Sequence, residues 1–339
     1  MLDTKQKVFH RIEQLSSVAA ALSSSPLCKV LQLRDQLLAL PEDDRCRPGG
    51  RSGLNADGTP LQYCISTSAD GWNGRFISDP ACIVGSSPER YRQSYDALQG
   101  LYPVTGTMDI RPICEDMLQF HLRGTEETFD TDYPDGVLWL GASPDATGLA
   151  VYMDGRRGGH QQSWSRLLSW LDHLMPANVE VRDFIEKTRP HASIMSLGLE
   201  GSTMENLRTK IYFRLLHPCS LQDLGVPLLQ CKELSTFCND VVGNRQIKLS
   251  GLVFNIGFHI ASGKMYDAKI DICACDNCVN LDAGAWRQLL NDGTKKYSLT
   301  PFPIDDDTLA THCNVSYYGM GVTRQGDVRL NLYLKNKPI

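Results

Sequence analysis

The sequence predicts an α+β fold in which ten antiparallel β-strands are drawn as five hairpins with helices between them. Three observations carry this reading. Five times along the 339 residues two runs of strand-like alternation flank a turn, the hairpins recur at intervals of roughly 55 to 75 residues, and the segments between them carry apolar residues at helical spacing. The pattern suggests a repeated unit of helix followed by hairpin, in a single domain spanning 1–339 with N-terminal helices and a loop over 1–53 and the strands over 54–337.

The first fifty residues read as helical. Val8, Phe9, Ile12 and Leu15 recur at helical spacing, and Leu31, Leu33, Leu37, Leu38 and Leu40 form a second segment that stops before Pro41. From Pro41 to Gly58 the chain is polar and rich in Gly, Pro and Asp, which reads as a long loop. The hairpins follow: Leu61–Ser66 with Gly74–Ser78, Val137–Gly141 with Leu149–Met153, Ser193–Leu199 with Leu207–Leu215, Leu252–Ile260 with Ala268–Cys273, and Asn314–Gly319 with Val328–Lys335. Their turns are assigned to Asp70-Gly71, Pro144-Asp145, Glu200-Gly201, Ser262-Gly263 and Gln325-Gly326-Asp327. Helical periodicity marks Pro88–Leu101, Gln161–Leu174, Leu228–Val241 and Ala283–Leu290.

Composition excludes several classes of function. Hydrophobic residues make up 42% and charged residues 22%, enough for a real core, and 34 Lys plus Arg against 39 Asp plus Glu give a net charge of −5. Such a balance argues against a nucleic-acid surface or a polybasic membrane patch. No apolar run approaches the roughly 20 residues of a spanning helix and no signal peptide opens the chain, so a cytoplasmic protein is expected. The twelve cysteines then read as reduced thiols. Cys273, Cys275 and Cys278 have metal-like spacing, which would organise a zinc-stabilised interaction protein, but no fourth ligand stands nearby and no metal site is assigned.

Strand faces carry the functional signal. Leu207, Thr209, Ile211, Phe213 and Leu215 oppose Arg208, Lys210, Tyr212 and Arg214; Val328, Leu330, Leu332 and Leu334 oppose Arg329, Asn331, Tyr333 and Lys335; Ala268, Ile270 and Ile272 oppose Lys269 and Asp271. On the first strand Leu61, Tyr63 and Ile65 oppose Gln62, Cys64 and Ser66. One face of the sheet wants helices and the other wants water or a charged ligand. An open sheet with one solvated face satisfies this pattern; a closed barrel with helices outside also removes the two edges that ten strands would leave. In the barrel, Arg75, Arg208, Lys210, Lys269 and Arg329 converge on the lumen and form a site for a polyanion.

Nucleotide loops, zincin helices and serine-hydrolase elbows are missing from the sequence. The run Asp305-Asp306-Asp307 lacks the further carboxylate of an Asp-rich diphosphate motif and reads as a loop that starts a short helix, while His259 and His312 read as structural residues and Asn314-Val315-Ser316 as a glycosylation pattern without consequence. What remains is Arg208-x-Lys210-x-Tyr212, with Arg75, Tyr152, Lys269 and Tyr333 at comparable places on other hairpins. Arg and Lys hold a diphosphate by charge-assisted hydrogen bonds, and a tyrosine ring face stabilises a cation. That combination suits ionisation of an allylic diphosphate.

These residues resemble a known family. Gly58-Thr59-Pro60-Leu61-Gln62-Tyr63 followed by Gly74-Arg75-Phe76-Ile77-Ser78-Asp79-Pro80, then Arg208-Thr209-Lys210-Ile211-Tyr212, then the closing hairpin from His312 to Lys335, are similar to the aromatic prenyltransferases of the dimethylallyltryptophan synthase type. The resemblance covers roughly residues 54 to 337 and implies the αββα (ABBA) prenyltransferase barrel, ten antiparallel strands ringed by helices. The chain is shorter than typical fungal members, which suggests a bacterial one. The resemblance further implies a transferase of secondary metabolism, such as alkaloid biosynthesis, that moves a dimethylallyl or longer prenyl group from its diphosphate to an indole by electrophilic aromatic substitution.

By matching position, Arg75, Arg208, Lys210, Lys269 and Arg329 would grip diphosphate, Tyr152, Tyr212 and Tyr333 would shield the cation, and Gln62 would meet the acceptor. The expected partners are a prenyl diphosphate and an aromatic acceptor, with no nucleic acid or membrane, in a monomer or homodimer; no cofactor is required and magnesium is at most stimulatory. Two departures stand out. The family usually has a Glu where this chain has Gln62, which accepts a hydrogen bond but cannot serve as a base. The second hairpin normally offers Lys-x-Tyr where this chain has Ala150-x-Tyr152, a loss for which Arg214 or Arg329 could compensate. A phenol or cyclic-peptide acceptor, and a non-catalytic barrel that binds an anionic or lipid-like ligand, stay open as alternatives.

Overall fold

A computed structural model describes residues 4–39, 52–55, 58–80, 86–123, 128–134, 136–243, 245, 248–274 and 279–336. Ten strands alternate with helices along the chain: α1 (Thr4–Leu22), α2 (Leu27–Leu38), β1 (Leu61–Ser68), β2 (Gly71–Ser78), α3 (Ser87–Thr105), α4 (Arg111–Leu122), the single turn α5 (Phe129–Asp132), β3 (Leu138–Ala142), β4 (Leu149–Asp154), α6 (Gly159–Leu174), α7 (Val179–Thr188), β5 (Ala192–Gly201), β6 (Arg208–Leu215), α8 (Lys232–Val242), β7 (Leu252–His259), β8 (Met265–Cys273), α9 (Ala283–Lys296), β9 (Cys313–Thr323) and β10 (Val328–Asn336). The strands pair antiparallel with their sequence neighbours, and β1 pairs with β10. The sheet is a closed barrel, so the open-sheet alternative is excluded.

Closure gives the alternation its meaning. Apolar strand residues face outward against the helices: Phe213 stacks on Phe254 at 5.4 Å, and Phe184 of α7 meets Phe213 at 6.1 Å and Phe258 at 5.7 Å. Burying such rings against helices supplies the main driving force for the outer layer. On α6, Trp164 and Trp170 are fully buried, and the Trp164 indole N–H donates to the Ala192 carbonyl. The polar alternate positions are thereby left to line the lumen.

The sequence missed α4 and α7. Val179–Thr188 is rich in β-branched and charged residues, which weakens its helical signal, yet Asn178 caps it by accepting a hydrogen bond from the Val181 amide. The helical halves between hairpins are unequal, with α3 to α5 before β3 but α8 alone before β7 among the described residues. Strand lengths also differ from expectation. Glu200-Gly201 is not a turn: β5 runs through Gly201, and Glu200 pairs with Arg208 across the hairpin. Similarly, β8 begins at Met265, not Ala268, which brings Asp267 into the sheet. The acidic run behaves as expected, with Asp305 accepting from the Thr308 amide at the start of a short helical turn over Thr308–His312. Cys273 is buried at the end of β8; Cys275 and Cys278 lie outside the described residues, as does most of the loop from Pro41 to Gly58.

Candidate active site

The lumen has two chemically distinct ends that meet at Tyr212. At one end Arg75, Arg208, Lys210, Lys269 and Arg329, contributed by β2, β6, β8 and β10, line a single cavity with Asn255, Asn331, Cys64 and Ser66. All five predicted diphosphate residues are therefore brought together. At the other end Trp139, Tyr152, Tyr317 and Tyr333 join Leu54, Ile77 and Gln62 around an aromatic chamber. Tyr212 lines both cavities.

Carboxylates hold the cationic basin together. Asp267 is fully buried; both its oxygens accept from Lys210 Nζ at 2.7 Å, and its Oδ2 lies 2.5 Å from Arg329 Nη2 and 3.4 Å from Arg208 Nη1. Glu200 takes Arg75 at 2.6 Å and Arg208 at 3.6 Å, and Asp271 takes Lys269 at 2.6 Å. Five basic side chains are paired by three carboxylates, and Asp70 also lines the cavity, so basic groups outnumber acidic ones there by one. Without those carboxylates the mutual repulsion of buried cations would be prohibitive. Backbone geometry makes room for the pairing. At Gly257, which faces both Asp267 and Lys210 in the sheet register, a Cβ would stand 2.1 Å from Asp267 Oδ1. No residue but glycine fits there without disrupting the pair.

Titration follows from this packing. Burial, seconded by repulsion from Arg208 and Arg329, lowers the Lys210 ammonium to about 7 against the opposing pull of Asp267. Burial alone would raise the carboxyls of Asp267 and Glu200, but the surrounding Lys210, Arg329, Arg208 and Arg75 hold both well below the usual carboxylate range. Tyr152 is pushed up to about 12 by burial and by Glu200, and burial likewise drives Tyr212 and Tyr333 well above the ordinary phenol value. All three shield candidates thus remain neutral phenols at ordinary pH.

Those phenols sit between the two ends. Tyr152 and Tyr212 pack edge to face at 5.5 Å, and Tyr317 and Tyr333 at 6.1 Å. Lys269 Nζ donates to the Tyr333 hydroxyl at 2.5 Å, so it stands at the hydroxyl edge of that ring, 5.0 Å from its centroid, and it lies 5.8 Å from the ring centroid of Tyr212.

Gln62 is fixed by its neighbours. The Asn55 Nδ2 donates to the carbonyls of Thr59 and Leu61, so its Oδ1 is an acceptor, and Gln62 Nε2 donates to it at 2.7 Å and to Ser316 Oγ at 3.2 Å. The network therefore assigns the amide orientation and reserves Gln62 Oε1 as the acceptor atom. Arg214, by contrast, lines the aromatic chamber and not the basin, so it does not replace the lysine missing at Ala150; Arg329 does stand in the basin. His259 is structural, bonded to the Glu205 carbonyl and Ser262.

Sequence reasoning missed Glu200, Asp267 and the chamber residues Trp139 and Tyr317. Asp267 shares the parity of Lys269 and Asp271 two and four residues on, and this was the available signal. Glu200 was hidden because Glu-Gly reads as a turn.

With the geometry established, comparison with known proteins is decisive for the fold. No family model matches the chain, and no curated protein matches it in sequence. Solved structures do. A 6-dimethylallyltryptophan synthase from Micromonospora olivasterospora, in complex with DMASPP and Trp, superposes with a TM-score of 0.74 at 15% identity over 97% of each chain. This chain has the prenyltransferase barrel fold. The apo form of prenyltransferase PriB is similar, with a TM-score of 0.71 at 14% identity over 98% of this chain and 96% of that one, as is AnaPT from Neosartorya fischeri, with a TM-score of 0.69 at 12% identity over 100% and 97%. The ABBA fold expected from the sequence is thereby confirmed.

Proposed function

We propose that the protein is an aromatic prenyltransferase that moves a prenyl group, in the first instance dimethylallyl, from its diphosphate to an indole-containing small molecule. The observation that carries this reading is the juxtaposition, inside one closed barrel, of a cationic basin and an aromatic chamber divided by neutral tyrosines. Structures with the same fold include enzymes that by name synthesise dimethylallyltryptophan, one of them solved with DMASPP and Trp bound.

The residues support a simple division of labour. Arg75, Arg208, Lys210, Lys269 and Arg329 neutralise the charge that develops on the departing diphosphate, a task for preorganised donors. Their carboxylate partners hold them in place beforehand, so little reorganisation accompanies ionisation. The faces of Tyr152, Tyr212 and Tyr333 shelter the allylic cation from water, and their neutrality matters because a phenolate would itself be alkylated. Gln62 Oε1 accepts the indole N–H and orients the ring for attack. Because five fixed cations already supply the charge, the reaction is expected to proceed without a metal, with magnesium at most a stimulant. A monomer or homodimer in the cytoplasm, acting in secondary metabolism such as alkaloid formation, fits this chemistry.

Incubation of the purified protein with dimethylallyl diphosphate and a panel of L-tryptophan, indoles, tyrosine and indole-containing cyclic dipeptides, with magnesium and with EDTA, tests the reading by mass spectrometry. The expected result is gain of one C5H8 unit on an indole in both conditions. Addition to tyrosine alone would reassign the acceptor, and tight donor binding with no product from any ring would make the barrel a binding protein.

A further inference from the structure

Electrophilic substitution leaves a proton to be removed, and Gln62 cannot remove it. Among the described residues that line the aromatic chamber, Asp271 is the carboxylate; the other ionisable side chains there are Arg156, Arg214 and four tyrosines, of which Tyr152, Tyr212 and Tyr333 are held neutral, and Asp271 itself is only 5% exposed. Its two oxygens differ. Oδ2 accepts from Lys269 at 2.6 Å, whereas Oδ1 is buried with no hydrogen-bond partner among the described residues. A buried carboxylate oxygen left unpartnered costs free energy and calls for an explanation. The backbone clears space for it: Gly319 faces Asp271 in the register of β8 and β9, and a Cβ there would stand 1.9 Å from Oδ1.

We propose, on the basis of the prenyl-transfer reading above, that Asp271 is the proton acceptor of the reaction. The bond between the prenyl C1 and the diphosphate oxygen breaks with its electron pair leaving on diphosphate, and the ring's π electrons form the new carbon–carbon bond. The ring C–H then gives its proton to Asp271 Oδ1, its electron pair restores aromaticity, and the protonated carboxyl releases that proton to water once the products depart. Lys269 holds the other oxygen and so keeps Oδ1 oriented while itself facing the diphosphate, which places it at the junction of both half-reactions.

Asp271→Asn keeps an oxygen for Lys269 and removes the base. With dimethylallyl diphosphate and L-tryptophan deuterated at every ring carbon, or the correspondingly deuterated indole that the wild-type protein prenylates, the variant is expected to lose about 10²- to 10⁴-fold in turnover. It should also acquire a primary deuterium isotope effect above about 2 that the wild type lacks, because proton removal becomes rate-limiting. Donor affinity, read by competition with inorganic pyrophosphate, should not fall, since Asn keeps an oxygen for Lys269 and the loss of one negative charge beside the basin favours an anion. An active wild type whose Asp271→Asn variant retains near-normal turnover, or loses turnover together with pyrophosphate binding and without an isotope effect, overturns the assignment while leaving prenyl transfer standing. A wild type that prenylates no ring overturns both.

Discussion

The two ends of the lumen are built on opposite principles. In the basin every cation is met by a carboxylate, with Lys210, Arg208 and Arg329 converging on Asp267, whereas the chamber leaves polar atoms waiting: Asp271 Oδ1 is buried and unpartnered, and Gln62 keeps only its amide oxygen free for a ligand. Like charges repel and must be assembled in advance, so each basin cation is paired with a carboxylate within the protein. On the proposed function the chamber would match an acceptor whose polar groups are few, and its own unsatisfied atoms would supply the specificity. Under the proposed function, diphosphate recognition would reside in a network and acceptor recognition in single atoms, and substitutions at the two ends should fail differently.

Beyond Asp271→Asn, the largest effect is expected in the network. Lys210→Ala should lower turnover by about 10²- to 10³-fold with the fold intact by circular dichroism, as for loss of one preorganised transition-state donor; near-normal activity would disprove the diphosphate assignment. The same residue gives the basin a pH signature. Free Lys210 titrates at about 7, and a bound diphosphate favours its charged form, so pyrophosphate should bind best below pH 7 and weaken by up to about tenfold per pH unit above it. Because pyrophosphate itself titrates, the comparison that isolates Lys210 is the difference between wild type and Lys210→Arg, whose profile should be flatter.

Asp267→Asn asks whether the pairing is structural. Removing this carboxylate leaves Lys210 and Arg329 without their charge partner and Arg208 with Glu200 alone, and should cost about 3–5 kcal/mol of stability, measured by urea denaturation. Pyrophosphate should then raise the melting temperature of the variant more than that of wild type, since it substitutes for the missing charge. Equal shifts would mean that the basin is not a preassembled anion site.

The sequence made the cations legible and left their partners out. Arg208, Lys210 and Arg329 stand out because the alternate positions of two largely apolar strands carry charged or polar side chains, and that local rule also predicts the barrel's inner face. Their carboxylates come from elsewhere: Lys210 and Asp267 are 57 residues apart, Arg75 and Glu200 are 125 apart, and nothing in the alternation of one strand encodes an encounter across the lumen. Asp267 and Glu200 were further obscured because each lies at a hairpin end, where strand limits drawn from residue type are least secure. Likewise α7 went unseen because its β-branched residues mask a helix that Asn178 and the packing of Phe184 stabilise.

Smaller effects belong to the divide and the chamber. Tyr212→Leu removes the ring common to both cavities and should slow transfer by about 2- to 30-fold, the worth of a cation–π contact, while raising the fraction of donor lost to water as dimethylallyl alcohol. An unchanged product ratio would remove Tyr212 from the shield. Gln62→Glu should change least: donor affinity stays constant, and acceptor KM shifts by less than about tenfold with a new dependence on pH, because a titratable acceptor replaces a neutral one. A profile identical across several indoles would show that Gln62 does not touch the acceptor.

The central claim, that one lumen holds a diphosphate at its cationic end and an aromatic ring at the other, is tested most directly by a crystal structure of the protein with dimethylallyl thiolodiphosphate and L-tryptophan. The expected density places the diphosphate among Arg75, Arg208, Lys210, Lys269 and Arg329, and the indole in the chamber with its N–H on Gln62 Oε1 and a ring carbon facing Asp271. A diphosphate bound outside the basin, or a ring that never enters the chamber, would contradict it.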